Sequence, residues 1–184
     1  MGLVALSPLM LGISIAIACT SPGPVLYRQQ RLGRDGKRFM MIKYRSMIVG
    51  ADARSAWTFR NDPRRTSFGI WLRQVSLNEL PQLVNVLRGD MSLAGPRPER
   101  PALAEEFEKT IPDYGKRHSM RPGITGWAQG NGLRGDTSVE DRTAYDLQYI
   151  NNWSPASDAY ILLQTLCGGM INRQENPENR KQER

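Results

Sequence analysis

Apolar positions along this chain recur with several different periods. Residues 3–18 are almost wholly apolar, and the first charged residue is Arg28. Residues 25–32 and 38–44 are short β-like runs joined by Gly33-Arg34-Asp35-Gly36, a turn signal that predicts a hairpin. Residues 68–74 and 77–87 place apolar side chains at helical spacing, with a polar, weakly patterned stretch at 48–65 before them. A helix is predicted over 101–109, with proline in its first turn, and another over 138–150, opened by a hydroxyl cap. A turn-rich segment, 121–135, lies between these two. The apolar run 159–166 reads as a last helix, core or interfacial, stopped by Gly168-Gly169. The pattern predicts an α+β fold, mainly helical with a small β-hairpin. Three parts follow: an apolar N-terminal segment over 1–24, a globular domain over 25–170 and a disordered tail over 171–184.

The N-terminal run lacks the positive stretch that opens a secretory signal, and it barely reaches the roughly 20 apolar residues of a straight membrane span. Pro8 has no N–H to offer the Val4 carbonyl, so the helix is expected to kink there while Ser7 supplies a local hydrogen bond. Arg28, Arg31, Arg34, Lys37, Arg38, Lys43 and Arg45 follow, opposed only by Asp35. Such a block suits the cytoplasmic face of a membrane, at about 1 kcal/mol per basic residue near anionic lipid. A solvated basic hairpin has the same composition.

A formal charge of +7 over 184 residues favours anionic partners: nucleic acid, acidic lipid or phosphorylated substrates. Cys19 and Cys167 are far apart and lack metal-ligand spacing, which argues against a disulfide scaffold or a zinc site. His118 is the only histidine, so triad chemistry would rest on it alone.

The densest constellation of acids, amides and arginines runs from Arg73 to Arg100. Ser76 with Glu79 fits a capping box, or Asn78 caps a helix that keeps Pro81 in its first turn. Either way position 78 is expected at the positive end of a helix, which favours phosphate. Arg97 lies between Pro96 and Pro98, a stiff mount for a phosphate-binding fork or an ordinary loop. Asp90, after Gly89, suits a turn or an oxygen ligand for Mg²⁺.

Seven ordered motifs carry a resemblance. They are Ser7-Pro8, Thr20-Ser-Pro-Gly-Pro24, Lys43-Tyr-Arg-Ser-Met47, Ser76-Leu-Asn-Glu-Leu-Pro-Gln82, Arg88-Gly-Asp-Met-Ser92, Gly95-Pro-Arg-Pro98 and Arg121-Pro-Gly-Ile-Thr-Gly-Trp-Ala-Gln129. Over residues 4–166 the chain resembles the bacterial sugar transferases, monotopic phosphoglycosyl transferases that act on polyprenyl phosphate. The resemblance implies a re-entrant N-terminal helix broken at Ser7-Pro8 and a catalytic domain on the cytoplasmic face of the inner membrane. Only about 10 Å of helix precedes Pro8, so the membrane helix is expected to be a shortened one. The implied reaction moves a sugar-1-phosphate, for this chain a hexose phosphate, from a UDP-sugar to undecaprenyl or another polyprenyl phosphate, releasing UMP. Such a step opens exopolysaccharide, capsule or O-antigen synthesis.

In that family an aspartate of the Ser-Leu-Asp-Glu motif forms a covalent phosphosugar ester, with Mg²⁺ on the diphosphate. By position the nucleophile falls on Asn78 and its partner acid on Glu79. Phosphate contacts fall on Lys43, Arg73 and Arg97, a further required acid on Asp146, and metal ligation on Glu79 and Asp90. Asn78 departs from the motif: an amide carries no full charge and is a poor nucleophile toward phosphorus. The resemblance therefore implies either a transferase or a silent homologue that binds donor or lipid. Inner-membrane lipids are expected partners and nucleic acid is not, while a second copy of the chain is left open.

Overall fold

The computed structural model describes residues 2–51, 62–135 and 137–165, with side chains from residue 4 onward. Helix α1 (Gly2–Thr20) continues through Pro8, and the Ser7 hydroxyl donates to the Val4 carbonyl at 2.7 Å. That is the local bond expected where proline withholds its N–H. Among the described residues no helix is long and apolar enough to cross a membrane. Ile13 and Ile17, one turn apart, are buried against Tyr44 and Leu72, with Met10 beside them. Val4, Leu11 and Ile15 stay exposed on the remaining surface of α1.

The predicted hairpin is present. Strands β1 (Leu26–Leu32) and β2 (Arg38–Tyr44) pair antiparallel, from Leu26 opposite Tyr44 to Leu32 opposite Arg38. The connection takes positive φ at Asp35 and Gly36, 56° and 70°, residues that tolerate the left-handed region. Helix α2 (Ser67–Gln74) is capped by Thr66, whose hydroxyl oxygen accepts from the Gly69 N–H at 3.0 Å. Gly69 has to lack a side chain, since a Cβ there would collide with the Ser46 carbonyl.

The helix predicted over 77–87 is divided. A single 3₁₀ turn, Leu77–Glu79, precedes helix α3 (Gln82–Leu87), and neither Ser76 nor Asn78 makes a capping bond. Ser76 sits instead in the left-handed region at φ 57°, and Pro81 occupies the cap position of α3. Proline donates no N–H and φ > 0 cannot continue a right-handed helix, so the chain turns twice within six residues. The capping readings of Ser76 and Asn78 are therefore corrected.

A parallel pair lay outside the sequence expectation. Strand β3 (Ser92–Ala94) aligns with β4 (Gly123–Thr125), Ser92 opposite Gly123 and Ala94 opposite Thr125. Helix α4 (Pro101–Thr110) begins on its proline and leads to a 3₁₀ segment, Tyr114–Ser119. After the short helix α5 (Trp127–Gly130), helix α6 (Val139–Asn151) opens on Ser138, whose hydroxyl accepts from the Asp141 N–H at 3.1 Å. Helix α7 (Pro155–Gln164) starts four residues before the apolar run that predicts it. Ser154 and Ser157 form a capping box there, with proline in the first turn.

Three apolar clusters hold these elements. One joins α1, β2 and α2, the second joins β3, α6 and α7 through Ala94, Tyr149 and Ile161, and the third joins α4 to Tyr114. The expected Gly168-Gly169 stop and the tail over 171–184 lie outside the described residues.

Candidate active site

Strand β2 continues into the run Lys43 to Met47, where successive side chains diverge because strand geometry alternates them. Lys43 turns to the 3₁₀ turn and donates from Nζ to Glu79 Oε1 at 2.7 Å. Tyr44 turns to α1, its hydroxyl donating to the Met10 carbonyl at 2.8 Å. Arg45 ties down the chain leaving α1, donating to the carbonyls of Ser21, at 2.7 Å, and of Pro22. One short stretch thus connects the apolar helix, its exit and a buried carboxylate.

Arg97 reaches Glu79 from the loop after β3, its terminal nitrogen 3.1 Å from the same Oε1. Three elements distant in sequence, β2, the 3₁₀ turn and the Gly95–Pro98 loop, therefore converge on one carboxylate. Lys43 and Glu79 are largely enclosed, whereas the Arg97 side chain is 40% exposed and forms the open side. Burial acts to raise the Glu79 carboxyl, but Lys43 and Arg97 together outweigh it and hold the group well below the usual carboxylate range. Burial pulls the Lys43 ammonium down to about 7, with Glu79 opposing and Arg97 and Arg31 adding to the fall. The pull that keeps Glu79 ionised comes from these two side chains.

Asn78 lies in the same 3₁₀ turn, only 7% exposed. A buried amide commonly finds partners, yet no side-chain hydrogen bond of Asn78 is formed among the described residues. Next to it stands a carboxylate gripped by two cations. A divergent amide beside a cationic cluster is suited to an anionic ligand with acceptor oxygens.

The other sequence-predicted residues fall at different depths. Asp90 is engaged by Asn85, whose amide nitrogen is 3.1 Å from Oδ2. Arg73 is half-buried in the last turn of α2. Asp146, 2% exposed, accepts two bonds through Oδ2 from Arg117, at 2.9 Å from Nε and 2.6 Å from the terminal nitrogen. Arg117 in turn reaches the Arg97 carbonyl at 3.3 Å, one arginine away from the cluster. Burial acts to lower the Arg117 guanidinium, but Asp146, with Tyr114 and Glu99 beside it, outweighs burial and leaves the group raised. Sequence reasoning passed over Arg117 and Asn85, and it read Arg31 only as one of the basic residues of the hairpin, whereas its side chain is 15% exposed and paired with Glu99. Arg117 carried a faint signal, a second basic residue beside the sole histidine, while Asn85 looked like any polar helix position. His118 rests its ring edge-on against Tyr114, with the centroids 6.1 Å apart. Among the described residues no group of three His, Cys, Asp or Glu side chains is arranged to hold a metal ion.

The family model described as bacterial sugar transferase matches residues 1–172. The chain belongs to the bacterial sugar transferase family. Its similarity to characterised members is high. It is 44% identical over 176 residues to the UDP-glucose:undecaprenyl-phosphate glucose-1-phosphate transferase of Escherichia coli (strain K12), an alignment covering 93% of this chain and 38% of that protein. It is 42% identical over 173 residues to the exopolysaccharide production protein PSS of Rhizobium leguminosarum bv. phaseoli, covering 89% of this chain and 86% of that one. A UDP-N-acetylgalactosamine-undecaprenyl-phosphate N-acetylgalactosaminephosphotransferase of Aeromonas hydrophila is 40% identical over 163 residues, covering 87% and 38%. The chain thus spans well under half the length of the Escherichia and Aeromonas relatives and most of the Rhizobium one. The Lys43, Glu79 and Arg97 cluster draws on three of the motifs that carry the resemblance in the sequence.

Proposed function

We propose that this chain transfers a hexose-1-phosphate from a UDP-sugar to undecaprenyl or another polyprenyl phosphate, at the cytoplasmic face of the inner membrane. The observation that carries the reading is the convergence of Lys43 and Arg97 on Glu79 beside the buried Asn78. Arg97, on the open side, meets the donor diphosphate with a planar fork, and Lys43 supplies a compact charge beneath it. The exposed apolar face of α1 rests in the lipid, which brings the polyprenyl phosphate to the mouth of the site.

A family-type double displacement needs a carboxylate oxygen to bond the sugar-linked phosphorus as its bond to UMP breaks. The lipid phosphate oxygen then bonds that phosphorus and the carboxylate is released. Glu79 is the carboxylate present. Both of its cationic contacts use Oε1, so Oε2 carries neither. If Oε2 is not the attacking atom, the same oxygen can instead hold Mg²⁺, which takes one or two carboxylates together with substrate phosphates. Bound there, the ion would neutralise the diphosphate charge and polarise its phosphoryl oxygens. Lys43 and Arg97 keep Glu79 ionised, and the Asn78 amide donates to a phosphoryl oxygen.

One observation favours a second reading: the amide at position 78 makes the chain a donor- or lipid-binding homologue without turnover. A radiolabelled UDP-glucose transfer assay on the chain and on Asn78→Asp decides between them. The transferase reading expects lipid-linked label from both, rising about 100-fold or more in Asn78→Asp if a carboxylate at 78 is the better nucleophile. Label from Asn78→Asp alone establishes the silent homologue. Equal and robust transfer by both sinks the view that position 78 carries the nucleophile.

A further inference from the structure

The Gly95–Pro98 loop does more than stiffen Arg97 with two prolines. Four consecutive carbonyls from Pro96 to Glu99 are each held by an outside donor. The Gly123 N–H meets Pro96 at 2.9 Å, Arg117 meets Arg97 at 3.3 Å, Arg31 meets Pro98 at 3.1 Å and the Leu32 N–H meets Glu99 at 2.9 Å. Two of those donors are backbone groups of β4 and β1. The other two are arginines, each neutralised by its own acid: Arg31 by Glu99 at 2.9 Å and Arg117 by Asp146 at 2.6 Å.

The Arg117 brace is the better fixed. Its guanidinium is 6% exposed, bonded twice to Asp146 Oδ2, and its central carbon lies 4.8 Å from the centre of the Tyr114 ring. A buried ion pair rarely adds net stability, because desolvation offsets the attraction and a well-packed apolar pair serves as well. What an apolar pair lacks is a donor for the Arg97 carbonyl. The pair is thus explained by where it points.

We propose that Asp146 is a positioning residue: it locks Arg117, and Arg117 holds the loop backbone so that Arg97 meets Glu79 and the donor diphosphate. Asp146 touches no reacting atom. This assignment rests on the proposed transferase site, and it predicts an energetic coupling between Asp146 and Arg97 that a merely structural acid would not show.

The test is a double-mutant cycle on UDP-glucose affinity, read by calorimetry on the detergent-solubilised chain, with Asp146→Asn, Arg97→Ala and the double variant. Asp146→Asn is expected to weaken binding about 10-fold when Arg97 is present and less than about 2-fold when it is absent. Arg117→Lys keeps the charge but loses the fork, and its loss of affinity should likewise vanish without Arg97. Hydrogen exchange of peptides covering residues 95–100 should rise in Asp146→Asn and Arg117→Lys while the β1–β2 hairpin stays protected. Equal losses with and without Arg97, or unchanged exchange over 95–100, overturn the proposal. If the unsubstituted chain binds no UDP-glucose, the functional reading fails, and the exchange measurement still decides the brace.

Discussion

At the scale of single residues the site is governed by one carboxylate with two cations on one of its oxygens. Lys43 is the titrating member, because burial brings its ammonium down to about 7 while Glu79 is held ionised. A bound diphosphate adds negative charge beside Lys43 and favours its protonated form, so binding takes up a proton. UDP-glucose affinity should fall as pH rises from 6 to 8.5, since the diphosphate stays fully ionised throughout and only the lysine loses charge. Lys43→Arg, always protonated, should flatten that slope in a calorimetric titration series. An unchanged slope in the variant would place the titrating group elsewhere. The same depressed value sets a stability trend. The unfolded chain binds more protons than the folded one between about 7 and the ordinary lysine value, so this group's contribution rises with pH through that window and is lost toward 7.

At the scale of elements, what ties α3 to the hairpin strand carrying Lys43 is Asn85, fully buried in α3. Its amide oxygen accepts from the Ile42 N–H at 3.1 Å, and its nitrogen donates to the Met40 carbonyl at 2.8 Å and to Asp90. Asn85→Ala strands two β2 backbone groups and the Asp90 carboxylate. It is expected to cost about 2–4 kcal/mol and to lower the melting temperature in detergent by about 10 °C. A loss below about 1 kcal/mol would mean that water or a shift of β2 replaces the amide.

The hairpin that Asn85 supports was legible in the sequence, because turn residues and alternation are local signals. The β3–β4 pair was not. Each strand has three residues, and their pairing depends on Gly95 and Gly123 letting two backbones approach where a Cβ would collide. The division of the 77–87 helix was half legible, since Pro81 announces a break but the left-handed Ser76 is a tertiary outcome. Site membership followed the same rule. Lys43, Glu79 and Arg97 were found by motif, but their meeting on one oxygen is a contact across as many as 36 residues that no local period encodes. Asp146 was carried over as a needed acid, whereas its link through Arg117 to the Arg97 backbone appears only in three dimensions.

At the scale of the whole molecule, α1 is part of the core on one side and, in the proposed function, a surface for lipid on the other. Ile13 and Ile17 complete the cluster around Tyr44 and Leu72, one strand residue from Lys43, so the helix cannot be treated as a detachable anchor. Its other side exposes Leu11 at 63% and Ile15 at 56%, and a helix apolar all round needs an apolar phase for such a face. The two faces separate experimentally. Ile17→Ala opens a cavity beneath β2 and should destabilise the solubilised protein by about 2–4 kcal/mol, seen as an earlier melt. Leu11→Ser should leave that melt nearly unchanged and instead release protein from anionic vesicles in a flotation assay, because the lost contact is with lipid. Should Leu11→Ser lower the melt as far as Ile17→Ala while vesicle binding holds, the exposed face of α1 is covered by protein, and the membrane placement of the site falls with it.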